Sequence, residues 1–345
     1  MSRRTRTLLL STVLAVLLMA GAVSATVPYV ALGPGPTFNT LGLVDGTPVI
    51  SIEGAPTFPT DGRLDLTTVG VQPSLTLLSA LRGWFDRDLA VVPRDVVYPP
   101  GKTDEQVNAE NTESMTQSQN SAVTAAARQL GFPVAEVSVQ DLAPGSPAEG
   151  GLEAGDVLTS VDGTAVRDAA ELRSLISSGE IGGVVQIGFV RDGVAGTAPV
   201  TTAASQDDGP QRSVIGVMTG EAPVDLPFDV DITLEEVGGP SAGLMFALGI
   251  IDKLDAASLT GGQFIAGTGE ITADGIVGPI GGIPQKLIAA QAKGAVAFLV
   301  PEANCAEAVL SPPPGLQLVK VGSLAEALTG LEALRAGDEP ELCPS

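Results

Sequence analysis

Twenty consecutive residues without a charge, Leu8–Val27, follow Arg3, Arg4 and Arg6. At about 1.5 Å per residue, an apolar helix of that length crosses a hydrocarbon core about 30 Å thick. The run reads as one membrane span, so whatever folds after it lies on one side of a bilayer. The three arginines keep the short end cytoplasmic by the positive-inside rule and place the remainder outside. A cleaved signal peptide is the alternative, because Val23-Ser24-Ala25 offers small residues at a cleavage position, although the apolar run is longer than the usual signal core.

The chain has 345 residues, 18 Lys plus Arg against 40 Asp plus Glu, no histidine, and a formal net charge of −22. Without imidazole there is no Ser-His-Asp or Cys-His chemistry and no histidine-ligated zinc, and two distant cysteines make no zinc cage. No metal or other cofactor is expected. A chain this acidic repels phosphates, so nucleic acid is not an expected partner. Cys305 and Cys343 are the only thiols. In an exported chain they are a candidate disulfide, worth roughly 3–4 kcal/mol by closing the loop between them. The alternative is two unrelated cysteines, one buried and one in a frayed tail.

Along the body, Val49–Ile52 and Arg63–Val69 read as strands, and Asn108–Leu130 as a helix stopped by Gly131. Trp84 and Phe85 read as local core, with a cofactor stack as the alternative. From Val134 to Val139 the pattern alternates as a strand, Ala169–Ser177 reads as a short helix, and Val184–Arg191 as another strand. Within this stretch, residues 144–163, PGSPAEGGLEAGDVLTSVDG, resemble the PDZ domains that accompany bacterial proteases. The resemblance implies a small β-barrel with two helices that takes up an extended peptide by strand addition. Val137, Val139 and Leu142 would then border the groove. A spacer without a ligand is the alternative, and Ala203–Arg212 reads as a linker closing the module.

Three glycine clusters follow, at 238–243, 267–269 and 278–282. Ser241 stands where the first enters an apolar helix too short to span a membrane, a place that offers free backbone N–H groups to a developing oxyanion. With histidine absent, the base for such a serine is a desolvated lysine. Of the five lysines, Lys102 lies in a Pro-rich loop, Lys253 follows the serine helix, Lys293 ends another helix and Lys320 sits in a short strand. Lys286 differs: it follows Gly281-Gly282-Ile283-Pro284 and stands among Leu287, Ile288, Ala289 and Ala290. Such neighbours could strip water from an amine, and burial lowers a lysine's pKa because the charged form loses hydration. Taken singly, Ser241 also reads as a helix N-cap and Lys286 as an ordinary exposed helix lysine.

Gly239-Pro240-Ser241-Ala242-Gly243, Thr268-Gly-Glu-Ile-Thr272, Gly275-x-Val-x-Pro-Ile-Gly-Gly282, the Lys286 helix and Pro301-Glu-Ala-Asn304 together resemble the proteolytic domain of Lon-type serine proteases. The resemblance implies Ser241 as nucleophile, Lys286 as general base and Thr268 as a hydrogen-bond partner of the lysine, with Gly239, Pro240 and Ala242 supporting the serine turn. It extends more weakly to Gly62–Thr68 and Glu113–Ala122. The expected fold class is therefore α+β: a Lon-type proteolytic domain with a PDZ-like β-barrel inserted, preceded by one transmembrane helix. The expected segments are 1–32 (cytoplasmic tip and span), 33–128 and 207–332 (proteolytic domain), 129–206 (PDZ-like) and 333–345 (tail).

Two departures from the Lon pattern stand out. Many Lon enzymes carry an acidic residue three positions before the serine, where this chain has Gly238, and no Gly-x-x-x-x-Gly-Lys-Ser/Thr phosphate loop occurs. The implied function is an ATP-independent serine endopeptidase on the extracytoplasmic face of the cell membrane. Its partners would be polypeptides with exposed or extended segments, the bilayer through residues 8–27, and, by family inference, further copies of itself. A non-catalytic, membrane-tethered PDZ adaptor is the alternative, keeping the motifs and dropping the chemistry.

Overall fold

The computed structural model describes residues 3–205, 210–234 and 237–344. The chain divides into two compact units, Met1–Ala126 with Val230–Ser345, and Ala127–Asp229. The first has a six-stranded mixed sheet in the order Gln317–Val321, Ala297–Pro301, Phe264–Gly267, Arg63–Gln72, Tyr29–Asn39, Ala90–Pro93. The first four run parallel and the last two antiparallel to their neighbours. Phe298, Leu299, Val300, Leu64, Leu66 and Ile265 are fully buried, as near-continuous apolar runs require in a sheet covered on both faces.

Helix Gly243–Leu254 is buried over its first ten residues, and helix Ile283–Lys293 packs on strands Tyr29–Asn39 and Arg63–Gln72. The long helix Asp104–Gln129 starts on two acidic residues and ends beside Arg128, in keeping with the helix dipole. Near the N-terminus, Arg3–Gly21 is long and apolar enough to cross a membrane by length and composition.

Cys305 and Cys343 form a disulfide. The expected tail beginning at 333 is corrected: helix Leu324–Ala336 runs past that point, and the chain then returns to the sheet edge. There Lys320 N–H donates to Glu341 O (2.8 Å) and Cys343 N–H to Leu318 O (2.9 Å). Trp84 and Phe85 are also not core, being 56% and 88% exposed.

The second unit is a sheet in the order Val194–Thr201, Val184–Arg191, Val157–Val161, Ala135–Leu142, Val217–Pro223, with helix Ala169–Ser177. Asp168 caps that helix by accepting from Glu171 N–H. The strand Val217–Pro223 moves the expected 206/207 boundary to 229, because it pairs antiparallel with Ala135–Leu142. Nor is Ala203–Arg212 a simple linker: Ala203 and Ala204 pair with Val214 and Ser213. Residues 206–209 of that stretch lie outside the described residues.

Candidate active site

The long helix holds the turn before Ser241 at two points. Gly239 N–H donates to Asn111 O (2.8 Å), and Ser118 Oγ donates to Pro240 O (2.9 Å). Gly243 opens the serine helix against Ser118 and Ile271; a Cβ there would lie 2.6 Å from Ser118 Oγ and 2.8 Å from Ile271 Cγ2, so glycine alone permits the approach. On the far side, Ser241 O accepts from Gly269 N–H (2.9 Å) and from Thr268 Oγ1 (2.9 Å).

Thr268 follows directly on the strand Phe264–Gly267, whose last carbonyl accepts from Thr67 Oγ1 (3.2 Å). The lysine arrives from a separate loop. Asn304 clamps Ile280 through both amide atoms, Oδ1 accepting from Ile280 N–H (2.8 Å) and Nδ2 donating to Ile280 O (2.9 Å). Two residues on, Gly282 caps the helix at φ 72°, with Pro284 in the first turn. Lys286 N–H donates to Gly282 O (3.2 Å), so the lysine projects from the start of a held helix.

Lys286 Nζ lies 2.7 Å from Ser241 Oγ and 2.8 Å from Thr268 Oγ1. The lysine is 2% exposed, and burial, which disfavours the charged amine, lowers its pKa to about 7. Near neutral pH a large share of the amine is thus unprotonated. Thr268 Oγ1 spends its proton on Ser241 O and must accept from the lysine, which aims an amine N–H at the threonine and leaves the lone pair for the serine hydroxyl.

The structure brings Ser241, Thr268 and Lys286 into one cluster, with Ala242 buried beside them. Gly239 does not offer its N–H to a substrate, since Asn111 O takes it, and Pro240 has none. Among the described residues, the Ser241 and Ala242 amides carry no such partner. Sequence reasoning missed Asn111, Ser118 and the clamp made by Asn304. The first two lie more than a hundred residues away, on a helix whose pattern names no partner. A cavity of about 500 Å³ lined by Phe38, Asp45, Thr68 and Thr233 reaches the serine loop at Gly238. Among the described residues no group of His, Cys, Asp and Glu is placed to hold a metal.

The second unit has a cavity of about 930 Å³ between helix Ala169–Ser177 and the strand Val217–Pro223, lined by Leu172, Arg173, Ile176, Gly216, Val217 and Thr219. This corrects the expected groove border. Val137 and Val139 are 1% exposed and face the core, with Leu142 packed against it, because Ala135–Leu142 is an inner strand and Val217–Pro223 the edge.

Residues 235–324 match the C-terminal proteolytic domain of Lon protease, and residues 107–202 match the PDZ domain. The chain thus carries a Lon-type proteolytic domain together with a PDZ domain. Among relatives, it is 35% identical over 107 residues to Lon protease 2 of Bacillus subtilis, covering 30% of this chain and 19% of that one. To the serine protease Do-like HtrA of Lactococcus lactis it is 41% identical over 71 residues, covering 21% of this chain and 17% of that one. The chain therefore spans under a fifth of the length of these relatives. Among solved structures, the PDZ domain of an SdrC-like protein from Listeria monocytogenes is 27% identical, covering 24% of this chain and 86% of that one, with a TM-score of 0.23.

Proposed function

We propose that the protein is an ATP-independent serine endopeptidase working through a Ser241–Lys286 dyad. The observation that carries this reading is the buried amine of Lys286 set within hydrogen-bond distance of two hydroxyls. Neutral Lys286 takes the Ser241 proton and the alkoxide attacks the peptide carbonyl. The Ser241 and Ala242 amides hold the oxyanion, and protonated Lys286 returns the proton to the leaving amine. Water then releases the acyl-enzyme with the same lysine as base. Thr268 keeps the amine lone pair on the serine.

The substrates we assign are polypeptides with an extended segment. In the second unit, the edge strand Val217–Pro223 beside the cavity suits strand addition, with Leu172, Ile176 and Val217 receiving apolar side chains. The N-terminal helix is the membrane anchor in this reading, and its arginines keep the units on the extracytoplasmic side.

The test uses the full chain in detergent or vesicles without nucleotide, as wild type, Ser241→Ala and Lys286→Ala, with unfolded casein and a fluorophosphonate probe. Cleavage and Ser241 labelling by wild type alone are the expected result. Equal behaviour of all three, with a peptide still bound by the PDZ unit, would make the protein an adaptor instead.

A further inference from the structure

The short helix Leu77–Phe85 lies against the exit of the N-terminal helix. Its first N–H, that of Leu77, donates to Ala25 O (3.1 Å), and Thr26–Val27 pairs antiparallel with Leu75–Thr76. Thr76 and Ser79 close a capping box at the helix start. One face is spoken for: Ala80 and Gly83 are buried, and a Cβ on Gly83 would lie 2.7 Å from Val91 Cγ2.

The other face is apolar and partly exposed. Leu77, Leu81, Trp84 and Phe85, spaced i, i+4, i+7, i+8 and so on one stripe, are 42%, 41%, 56% and 88% exposed. Contiguous exposed apolar surface of this kind marks an interaction site. Its charge is unusual too. In a chain of net charge −22, no acidic residue occurs from Leu66 to Phe85, and Arg82 is the one charged residue of the helix. Trp84, the sole tryptophan, makes a T-shaped contact with Tyr29, ring centroids 5.9 Å apart. An amphipathic helix bearing Trp, Phe and Leu on one face, at the point where a span leaves the bilayer, has the composition of an interfacial element.

We propose that Leu77–Phe85 lies in the headgroup region of the bilayer crossed by the N-terminal helix, giving the first unit a second, non-spanning attachment. The inference rests on reading that helix as a span. A lone tether leaves a body free to tumble; a second contact beside it fixes which face the first unit turns to the membrane.

Trp84 is its own reporter. The full chain is reconstituted into phosphatidylcholine–phosphatidylglycerol vesicles, and Trp84 emission is followed with aqueous iodide and with lipids brominated near the headgroup. The expected result is carbonate-resistant protein whose tryptophan is blue-shifted, quenched by bromolipid and shielded from iodide. Phe85→Ser with Leu81→Ser, checked for an unchanged thermal midpoint, should lose most of the bromolipid quenching while staying carbonate-resistant. Resistant protein with Trp84 open to iodide and unquenched by bromolipid overturns the proposal and leaves the span standing. So does a tryptophan shielded from both quenchers, since a protein surface then covers it. Release of the protein by carbonate overturns the span itself and the proposal with it.

Discussion

The amine of Lys286 lies 2.7 Å from Ser241 Oγ, and burial is what lowers the lysine's pKa, with no charged group among the described residues adding to or opposing it. A base made by desolvation needs no third charged partner. Its position depends instead on neutral hydrogen bonds and on the loops that set the helix start.

The first consequence is a pH profile. Because the working form is the neutral amine, kcat/KM should rise with pH through about 7 and level off above it. Lys286→Arg, permanently protonated, should lose at least about a hundredfold and show no such rise. Peptide cleavage measured from mildly acidic to alkaline pH checks both, and a flat wild-type profile would remove Lys286 as the base.

Thr268→Val keeps shape and removes the hydroxyl that orients the amine. A lost hydrogen bond of about 1.5–3 kcal/mol predicts a kcat lower by roughly ten- to a hundredfold, with Thr268→Ser close to wild type. A fall in kcat at constant KM, together with rescue by serine, separates positioning from general damage to the fold.

Lys286→Met should stabilise the fold. Unfolded, the lysine holds its proton up to about 10.4; folded, it releases it near 7, so between these values the unfolded state binds more protons and wild-type stability rises with pH. The gain from the substitution is therefore largest at and below about pH 7, on the order of 3–5 kcal/mol, and fades toward pH 10. Urea midpoints of the two proteins across that window give the answer; a pH-independent difference would contradict the buried, shifted lysine.

The disulfide ties the returning C-terminal segment to the turn that carries Asn304, the residue clamping Ile280 ahead of the lysine helix. Reduction, or Cys343→Ala, should cost roughly 3–4 kcal/mol of stability, seen as a lowered denaturant midpoint with and without reductant. Asn304→Ala should cost about 1–3 kcal/mol by leaving Ile280 unpaired, and lower kcat more than it changes KM.

Much of this molecule is legible in its sequence. Helix Ala169–Ser177 and strand Val184–Arg191 occur at the residues where their periodicity places them, because apolar spacing and caps are properties of near neighbours. The motifs around Ser241, Thr268 and Lys286 were readable for a similar reason: tight glycine turns must be written into adjacent residues. Other features depended on which surfaces meet. The small and apolar neighbours of Lys286 in the chain fit an exposed helix lysine as well as a buried one; its lowered pKa exists because its helix packs on two strands and its side chain is buried there. Val217–Pro223 became the edge strand beside the cavity only by pairing with a segment some eighty residues earlier, whose Val137 and Val139 lie in the core. Trp84 and Phe85 read as local core in the sequence, yet face outward because Ala80 and Gly83 took the inner side of their helix. Local pattern settles which element forms and where it turns; burial, and with it the chemistry of an amine or the fate of an aromatic face, is decided by contacts between residues distant in the chain.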